Sequence, residues 1–333
     1  MSVLVTGAAG FIGFHTALRL LERGERVVGL DSLNDYYPVS LKRDRLATIS
    51  AAHPDSFHFV HADFADKAVL AAALDAQGID RVVHLGAQAG VRYSIENPGA
   101  YVESNLVGHL NVMEWARRSG ICRHMVYASS SSVYGSNKKL PFAVEDRVDH
   151  PISLYAATKK ADELMSETYA HLYRLPLTGL RFFTVYGPWG RPDMALWIFT
   201  DAILNGRPID VFGEGDMRRD FTYIDDIVTG VVSCLDNPPP DDGAPKAGGS
   251  VGPHRLYNIG NHRSEELGRM IDVIEAAVGK PAVRNLKPMQ PGDVRDTHAD
   301  ISAIERDLGF HPTTSIDVGI PRFVEWFRSY HGV

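Results

Sequence analysis

Over the first half of the chain, short runs of aliphatic and β-branched residues alternate with longer stretches whose apolar positions recur every three to four residues. That alternation predicts βαβ units building a parallel sheet. Strands are expected at residues 2–6, 26–30, 57–61, 81–85, 124–128 and 177–181, and helices at 11–23, 67–77, 102–118 and 153–172. Beyond Phe183, Gly and Pro punctuate short elements such as 188–192 and 212–216, which predicts a smaller, loop-rich lobe. Residues 223–235 read as a helix and 256–259 as a short strand able to return to the sheet edge. The expected fold class is therefore α/β, a doubly wound parallel sheet with a smaller, interleaved C-terminal lobe. The sheet domain is expected to take 1–182, joined by approximately 222–260, and the lobe 183–221 and 261–333. Residues 237–253, rich in Pro, Gly and Asp, have the composition of an exposed, mobile loop.

Bulk properties narrow the function classes. The 333 residues, 44% hydrophobic and 23% charged, suit a globular chain that needs no metal or disulfide staple. A net charge of −7 gives no broad basic surface for nucleic acid, so local cationic pockets matter more than the total. No apolar stretch approaches the roughly 20 residues that span a bilayer, and no membrane partner is expected. The apolar run Val3 to Thr6 begins almost at Met1, leaving no room for a secretory signal, and predicts a cytoplasmic protein. Cys122 and Cys234 form no C-x-x-C or nucleophile signature, and the 14 His form no ligand-spaced cluster, so no metal is expected.

Gly7-Ala8-Ala9-Gly10-Phe11-Ile12-Gly13 follows a buried-type strand at once and opens an amphipathic helix. Glycine between strand and helix removes Cβ atoms that would bar a pyrophosphate from the helix N-terminus, which makes the sheet Rossmann-type and the ligand a dinucleotide. Asp31 ends the second strand, where a carboxylate accepts from a ribose diol and repels a 2′-phosphate; NAD is favoured over NADP, which Lys42 and Arg43 nearby leave open. Asp63 and Phe64 after the third strand, and Leu85 and Gln88 after the fourth, are further candidate cofactor contacts along with Gly7, Gly10, Phe11, Ile12 and Gly13.

Tyr155 and Lys159 stand four residues apart, on one helix face. An ammonium beside a phenol favours the phenolate, the form that accepts a proton. The run Ser129-Ser130-Ser131-Ser132 directly follows a strand, and hydroxyls at a strand's carboxyl end face the ligand crevice of an open parallel sheet. Ser130 there can hydrogen-bond the same substrate oxygen as Tyr155.

These features together resemble the extended short-chain dehydrogenases that act on nucleotide sugars. Within them the chain is most similar to the UDP-glucuronate 4-epimerases, through Leu33-Asn34-Asp35-Tyr36-Tyr37, Gln88-Ala89-Gly90-Val91-Arg92 and the long block Arg181 to Ala195. Ser32, Pro38 and Gly86 depart from that pattern, Gly86 standing where alanine is expected. The resemblance implies catalysis by Ser130, Tyr155 and Lys159, a bound NAD that Tyr155 and Lys159 also touch, and a UDP-sugar held by Arg92, Ser130, Ser131, Ser132, Thr184 and Arg191. Arg219 and Arg295 in the lobe suit bidentate diphosphate recognition, and Val211 or Phe212 suits the uracil, although core packing explains those two equally well. Homodimers through helices 102–118 and 153–172 are common in the family. The implied reaction is NAD-dependent C4 epimerisation of UDP-glucuronate to UDP-galacturonate through a bound 4-keto sugar. UDP-glucuronate decarboxylase and UDP-glucose 4-epimerase remain the rival enzymes, and an NAD-binding sensor or scaffold the rival non-enzyme. The family's UDP-xylose-forming decarboxylases carry Glu at the position of Ser132, which weighs against the first.

Overall fold

The computed structural model describes residues 2–290 and 293–333. Seven strands form one parallel sheet: β1 (Ser2–Thr6), β2 (Arg26–Asp31), β3 (Phe57–His61), β4 (Ile79–His84), β5 (His124–Ser130), β6 (Leu177–Phe182) and the late strand β10 (His254–Ile259), in the order β10-β6-β5-β4-β1-β2-β3. Helices cover both faces, so β1 and β6 are buried throughout and, apart from the ion-paired Arg181, read as apolar or small residues. Successive residues of β1 feed different cores: Val3 and Val5 join one apolar cluster with α1 (Phe11–Glu22), whereas Leu4 joins the other with Leu70, Val112 and Tyr127. The sequence order reverses between β1 and β4, and that switch point opens a crevice at the strands' carboxyl ends.

The fold class is α/β and Rossmann-type, as the alternating pattern predicts. One long helix of the sheet domain escaped the pattern, and the lobe expected to be loop-rich carries four more that it did not predict, Ala195–Leu204, Leu267–Val278, Ser302–Leu308 and Ile316–His331. α2 (Val39–Ala52) has no apolar stripe, because Lys42 and Arg45 are among its buried residues. Arg45 is fully buried, donating to Ala9 O at 2.8 Å, Tyr37 Oη at 2.9 Å, Trp189 O at 2.6 Å and Gly190 O at 3.1 Å. One guanidinium thus ties the glycine turn to the 188–190 segment. Such a helix face buries its polarity by hydrogen bonding rather than by being apolar.

The segment 237–253 is less loose than its composition suggests. Ala247 and Ser250 are buried, Leu256 N donates to Ala247 O at 2.9 Å, and Ser250 Oγ donates to Glu167 at 2.9 Å. After α3 (Lys67–Leu74), a π-helical stretch, Val102–Val107, runs into α4 (Gly108–Ser119), which lies beside α5 (Leu154–Tyr173). The remaining strands build two small sheets, β7 (Thr184–Tyr186) and β11 (Ser264–Glu266) flanking β9 (Arg218–Tyr223), and β8 (Ile209–Phe212) paired with β12 (Arg284–Lys287). Around them α6 (Ala195–Leu204) and α8 (Leu267–Val278) pack together, with α10 (Ile316–His331) against α8, while α7 (Ile224–Asp236) packs on α1 and α9 (Ser302–Leu308) against β10.

Candidate functional site

The turn after β1 is compressed. Gly7 has φ of +69°, and a Cβ there would lie 2.8 Å from Gly86 N; a Cβ on Gly13 would lie 2.0 Å from Gly7 O. Glycine is required at both points by the backbone's own approach, which brings the start of α1 onto the turn. Gly10 begins that helix without a side-chain cap, and no acidic residue sits in its first turn. The leading N–H groups are therefore left for an anion. Asp31, 8% exposed, accepts from Ala9 N at 3.1 Å and Leu33 N at 2.8 Å, which fixes its carboxylate at the end of β2.

Gly86 also has a structural reason. A Cβ at this position would stand 2.5 Å from Phe64 Cε1 and 3.1 Å from Thr6 Oγ1, and one at Gly108 would stand 2.4 Å from Phe64 Cδ2. The Phe64 ring is wedged between two glycines, so alanine would force it to move.

A single cavity of about 1040 Å³ runs from this turn across the crevice to the lobe. Gly7, Gly10, Phe11, Ile12, Gly13, Asp31, Asp63, Phe64, Leu85 and Gln88 line the end at the glycine turn, and Ser130, Ser131, Ser132, Tyr155 and Lys159 its middle. Arg92, Thr184, Arg191 and Arg219 line the far end. Two of the predicted contacts stand elsewhere. Val211 points into the core at 2% exposure while its neighbour Phe212 lines the cavity beneath the Arg92 guanidinium, 5.3 Å from its ring centre. The Arg295 side chain lies outside the lining, 62% exposed and paired with Asp216, but its backbone carbonyl accepts from Arg219 Nη1 at 2.8 Å. A chain reversal that presents a carbonyl is invisible to a reading of side-chain types.

The middle of the cavity is held from several elements. Ser153 caps α5, its hydroxyl accepting from Ala156 N at 3.1 Å, so Tyr155 falls in the first turn and Lys159 one turn deeper. Lys159 Nζ is nearly buried and donates to Ala128 O at 3.0 Å and Asp162 Oδ2 at 3.1 Å. Ser130 Oγ accepts from Ser132 N at 3.1 Å, which bends the chain after β5 and leaves its hydroxyl proton free to donate. Beneath the serines, Ser129 Oγ donates to Glu163 Oε1 at 2.7 Å, and Glu163 takes a fork of bonds from Arg181 at 2.8 and 2.9 Å. Burial pushes the Glu163 carboxyl up, but the Arg181 guanidinium outweighs it and holds the group below its ordinary value. Asn105, in the π-helical stretch, accepts from Gln88 N at 2.9 Å and donates to Thr158 Oγ1 at 3.0 Å, linking the loop after β4 to α5.

Several lining residues had not been singled out as contacts. Tyr36 donates to Asp193 Oδ2 at 3.1 Å, and Arg191 Nε donates to Asp193 Oδ1 at 3.0 Å, so Asp193 fixes the guanidinium between the lobes. Burial raises the Tyr36 phenol to about 12, with the Asp193 charge adding to it. Asp293 receives Arg92 at 3.2 Å across the cleft mouth. The stretch containing Tyr36 had been legible as a family motif, but its acceptor lies 157 residues away in sequence.

A glycine turn opening an uncapped helix, a fixed carboxylate at the end of β2 and a Tyr–Lys pair lining the same cavity are the arrangement of a dinucleotide-dependent enzyme of the short-chain dehydrogenase class. Residues 3–260 match the NAD dependent epimerase/dehydratase family, and the chain belongs to it. It is 50% identical to a protein of Rhizobium meliloti (strain 1021) named a probable UDP-glucuronate 4-epimerase, over 98% of this chain and 97% of that one. Identity to UDP-glucuronate 4-epimerase 1 of Arabidopsis thaliana is 47%, over 100% of this chain and 78% of the plant protein. The crystal structure of UDP-glucuronic acid 4-epimerase from Bacillus cereus, in complex with UDP-glucuronic acid and NAD, superposes with a TM-score of 0.87 at 33% identity, covering 99% of this chain and 100% of that one.

Proposed function

We propose that this chain inverts C4 of UDP-glucuronate to give UDP-galacturonate, using NAD that it retains between turnovers. The observation that carries the reading is the convergence of Tyr155, Lys159 and the serine turn midway along a cavity with a dinucleotide turn at one end and Arg191 and Arg219 at the other. The uncapped start of α1 and Asp31 suit a pyrophosphate and a ribose without a 2′-phosphate. NAD, when bound, supplies the acceptor and donor of hydride for C4. Tyr155 takes the proton of the 4-hydroxyl on oxidation and returns it on reduction, so no proton is exchanged with solvent over the cycle. Lys159 favours the phenolate, and Ser130 donates to the C4 oxygen. A 4-keto sugar has to turn over in the cavity before reduction from the other face.

The C6 carboxylate then lies β to a ketone and can leave as CO₂. That loss needs the carboxylate bond aligned with the carbonyl π system, and donors from Ser131, Ser132 and Thr184 that hold the carboxylate in another orientation suppress it. Arg191 and Arg219 suit the sugar carboxylate and the diphosphate. Burial lowers the Arg219 guanidinium, with Asp293 and Asp296 acting in the opposite sense.

In the division we favour, the sheet with α7 and β10 carries the cofactor and residues 183–221 and 261–333 carry the sugar. A homodimer through α4 and α5 fits the exposed Leu110, Leu164 and Leu172. A cytoplasmic setting fits the free Cys122 and Cys234, whose thiols burial pushes up to about 12. Among the described residues no helix is long and apolar enough to cross a membrane.

Purified protein incubated with UDP-glucuronate and followed by NMR tests the reading. UDP-galacturonate is expected; a UDP-pentose, or no turnover, overturns it. Tyr155→Phe is expected to lower kcat about 10²- to 10⁴-fold, and near wild-type turnover would remove the assigned base.

A further inference from the structure

The catalytic ammonium has a charged neighbour that the proposed cycle does not use. Asp162 lies on α5 three residues beyond Lys159, its Oδ2 3.1 Å from Nζ, with side-chain exposures of 0% for the aspartate and 4% for the lysine. Its other oxygen, Oδ1, is buried without a hydrogen-bond partner among the described residues. The groups facing Asp162 are few. On its own helix they are Lys159 and Glu163, the latter already matched by Arg181 of β6. From α4 comes the ring of His109, which burial keeps uncharged and which bonds the Asp162 backbone carbonyl; from β5 comes the Tyr127 phenol, and His84 of β4 lies near Lys159, likewise kept neutral by burial. Lys159 is therefore the one cation that balances this carboxylate among the described residues.

Two consequences follow from elementary electrostatics. The ion pair holds Nζ against Ala128 O, which fixes where the ammonium meets the cavity. It also cancels much of the charge that would favour the phenolate of Tyr155 one turn away, because an ammonium and a carboxylate in contact act on a third group as a dipole.

We infer that Asp162 is a positioning residue that sets the ionisation of Tyr155 through Lys159. The inference rests on the assignment of Tyr155 as the base. Removing the charge while keeping the shape, as in Asp162→Asn, leaves Lys159 two acceptors and its polar contact with the cavity, but exposes Tyr155 to an uncompensated cation. Burial pushes the Asp162 carboxyl up to about 6 against the pull of Lys159, so wild type and variant should differ most above that pH and converge below it.

The test is the pH profile of kcat for wild type, Asp162→Asn and Asp162→Glu with UDP-glucuronate, together with near-ultraviolet titration of phenolate in each protein as purified, with its NAD, against its own Tyr155→Phe counterpart. In Asp162→Asn the acid limb and the Tyr155 titration should both move to lower pH by about half a unit or more, roughly threefold in rate on that limb. Asp162→Glu, which keeps the carboxylate, should stay close to wild type. Circular dichroism verifies the fold; if Asp162→Asn does not fold, Asp162→Ser, smaller and uncharged, carries the same expectation. A folded uncharged variant whose limb and titration stay in place, move to higher pH, or whose kcat falls equally at every pH overturns the inference. Failure of wild type to turn over UDP-glucuronate would instead strike the proposed function, leaving the Tyr155 titration to decide the role of Asp162.

Discussion

Glu163→Gln removes one charge from a pair sealed beneath the serine turn. The side chains of Arg181 and Glu163 are 2% and 1% exposed, and the carboxylate receives Arg181 Nε and Nη2 at 2.8 and 2.9 Å. Glutamine preserves the shape but leaves the guanidinium buried with only Tyr134 Oη at 3.1 Å and Val144 O at 3.3 Å as firm acceptors, besides the amide oxygen. Breaking a buried pair in this way costs about 3–5 kcal/mol. At about 2–4 °C per kcal/mol for a sizeable domain, the thermal midpoint should fall by roughly 6–20 °C. Differential scanning calorimetry on Glu163→Gln, Arg181→Met and the double variant completes a cycle in which the double variant should recover most of the loss, because no charge is then stranded. The pH dependence has a defined sign. Because Glu163 titrates below its ordinary value in the fold, its stabilisation is present above the unfolded value of about 4.3 and is lost as pH falls through the folded value. That acid-side component should be absent from Glu163→Gln. A single-variant loss under about 1 kcal/mol, or a coupling energy near zero, would refute the reasoning.

Gly86→Ala should cost about 1–3 kcal/mol through its contact with Phe64, read as a lowered thermal midpoint; an unchanged midpoint would mean the ring has room to shift. Asp31→Ala removes the acceptor expected to face the adenosine ribose and releases the Ala9 and Leu33 amides, so the Kd for NAD should rise about 10- to 100-fold by calorimetric titration, and an unchanged Kd would place the ribose elsewhere. Thr184→Val removes a hydroxyl assigned to the sugar carboxylate and should raise the share of decarboxylated UDP-pentose by about tenfold in NMR product analysis; an unaltered product ratio would release Thr184 from that role.

The sequence by itself determined the parts whose physics is local. Alternating apolar runs specify strands and helices because each element must bury one face, and the glycines from Gly7 to Gly13 announce a turn that no side chain could enter. Tyr155 and Lys159 are readable together because a helix brings residues four apart onto one face. Tertiary structure decided what depends on distant partners. α2 was illegible because Lys42 and Arg45 look like a solvated face until Asn34, Ala9 and the Trp189 and Gly190 carbonyls supply their acceptors. Val211 and Phe212 differ in role only through the pleat of β8, and Arg295 serves the cleft wall with its carbonyl rather than its guanidinium. Asp162 has the same origin: its spacing from Lys159 was visible, but a charge pair is weak in water and strong only where the sheet and α4 exclude it. Local pattern names the groups present, and packing sets the dielectric and the partners that give them their chemistry.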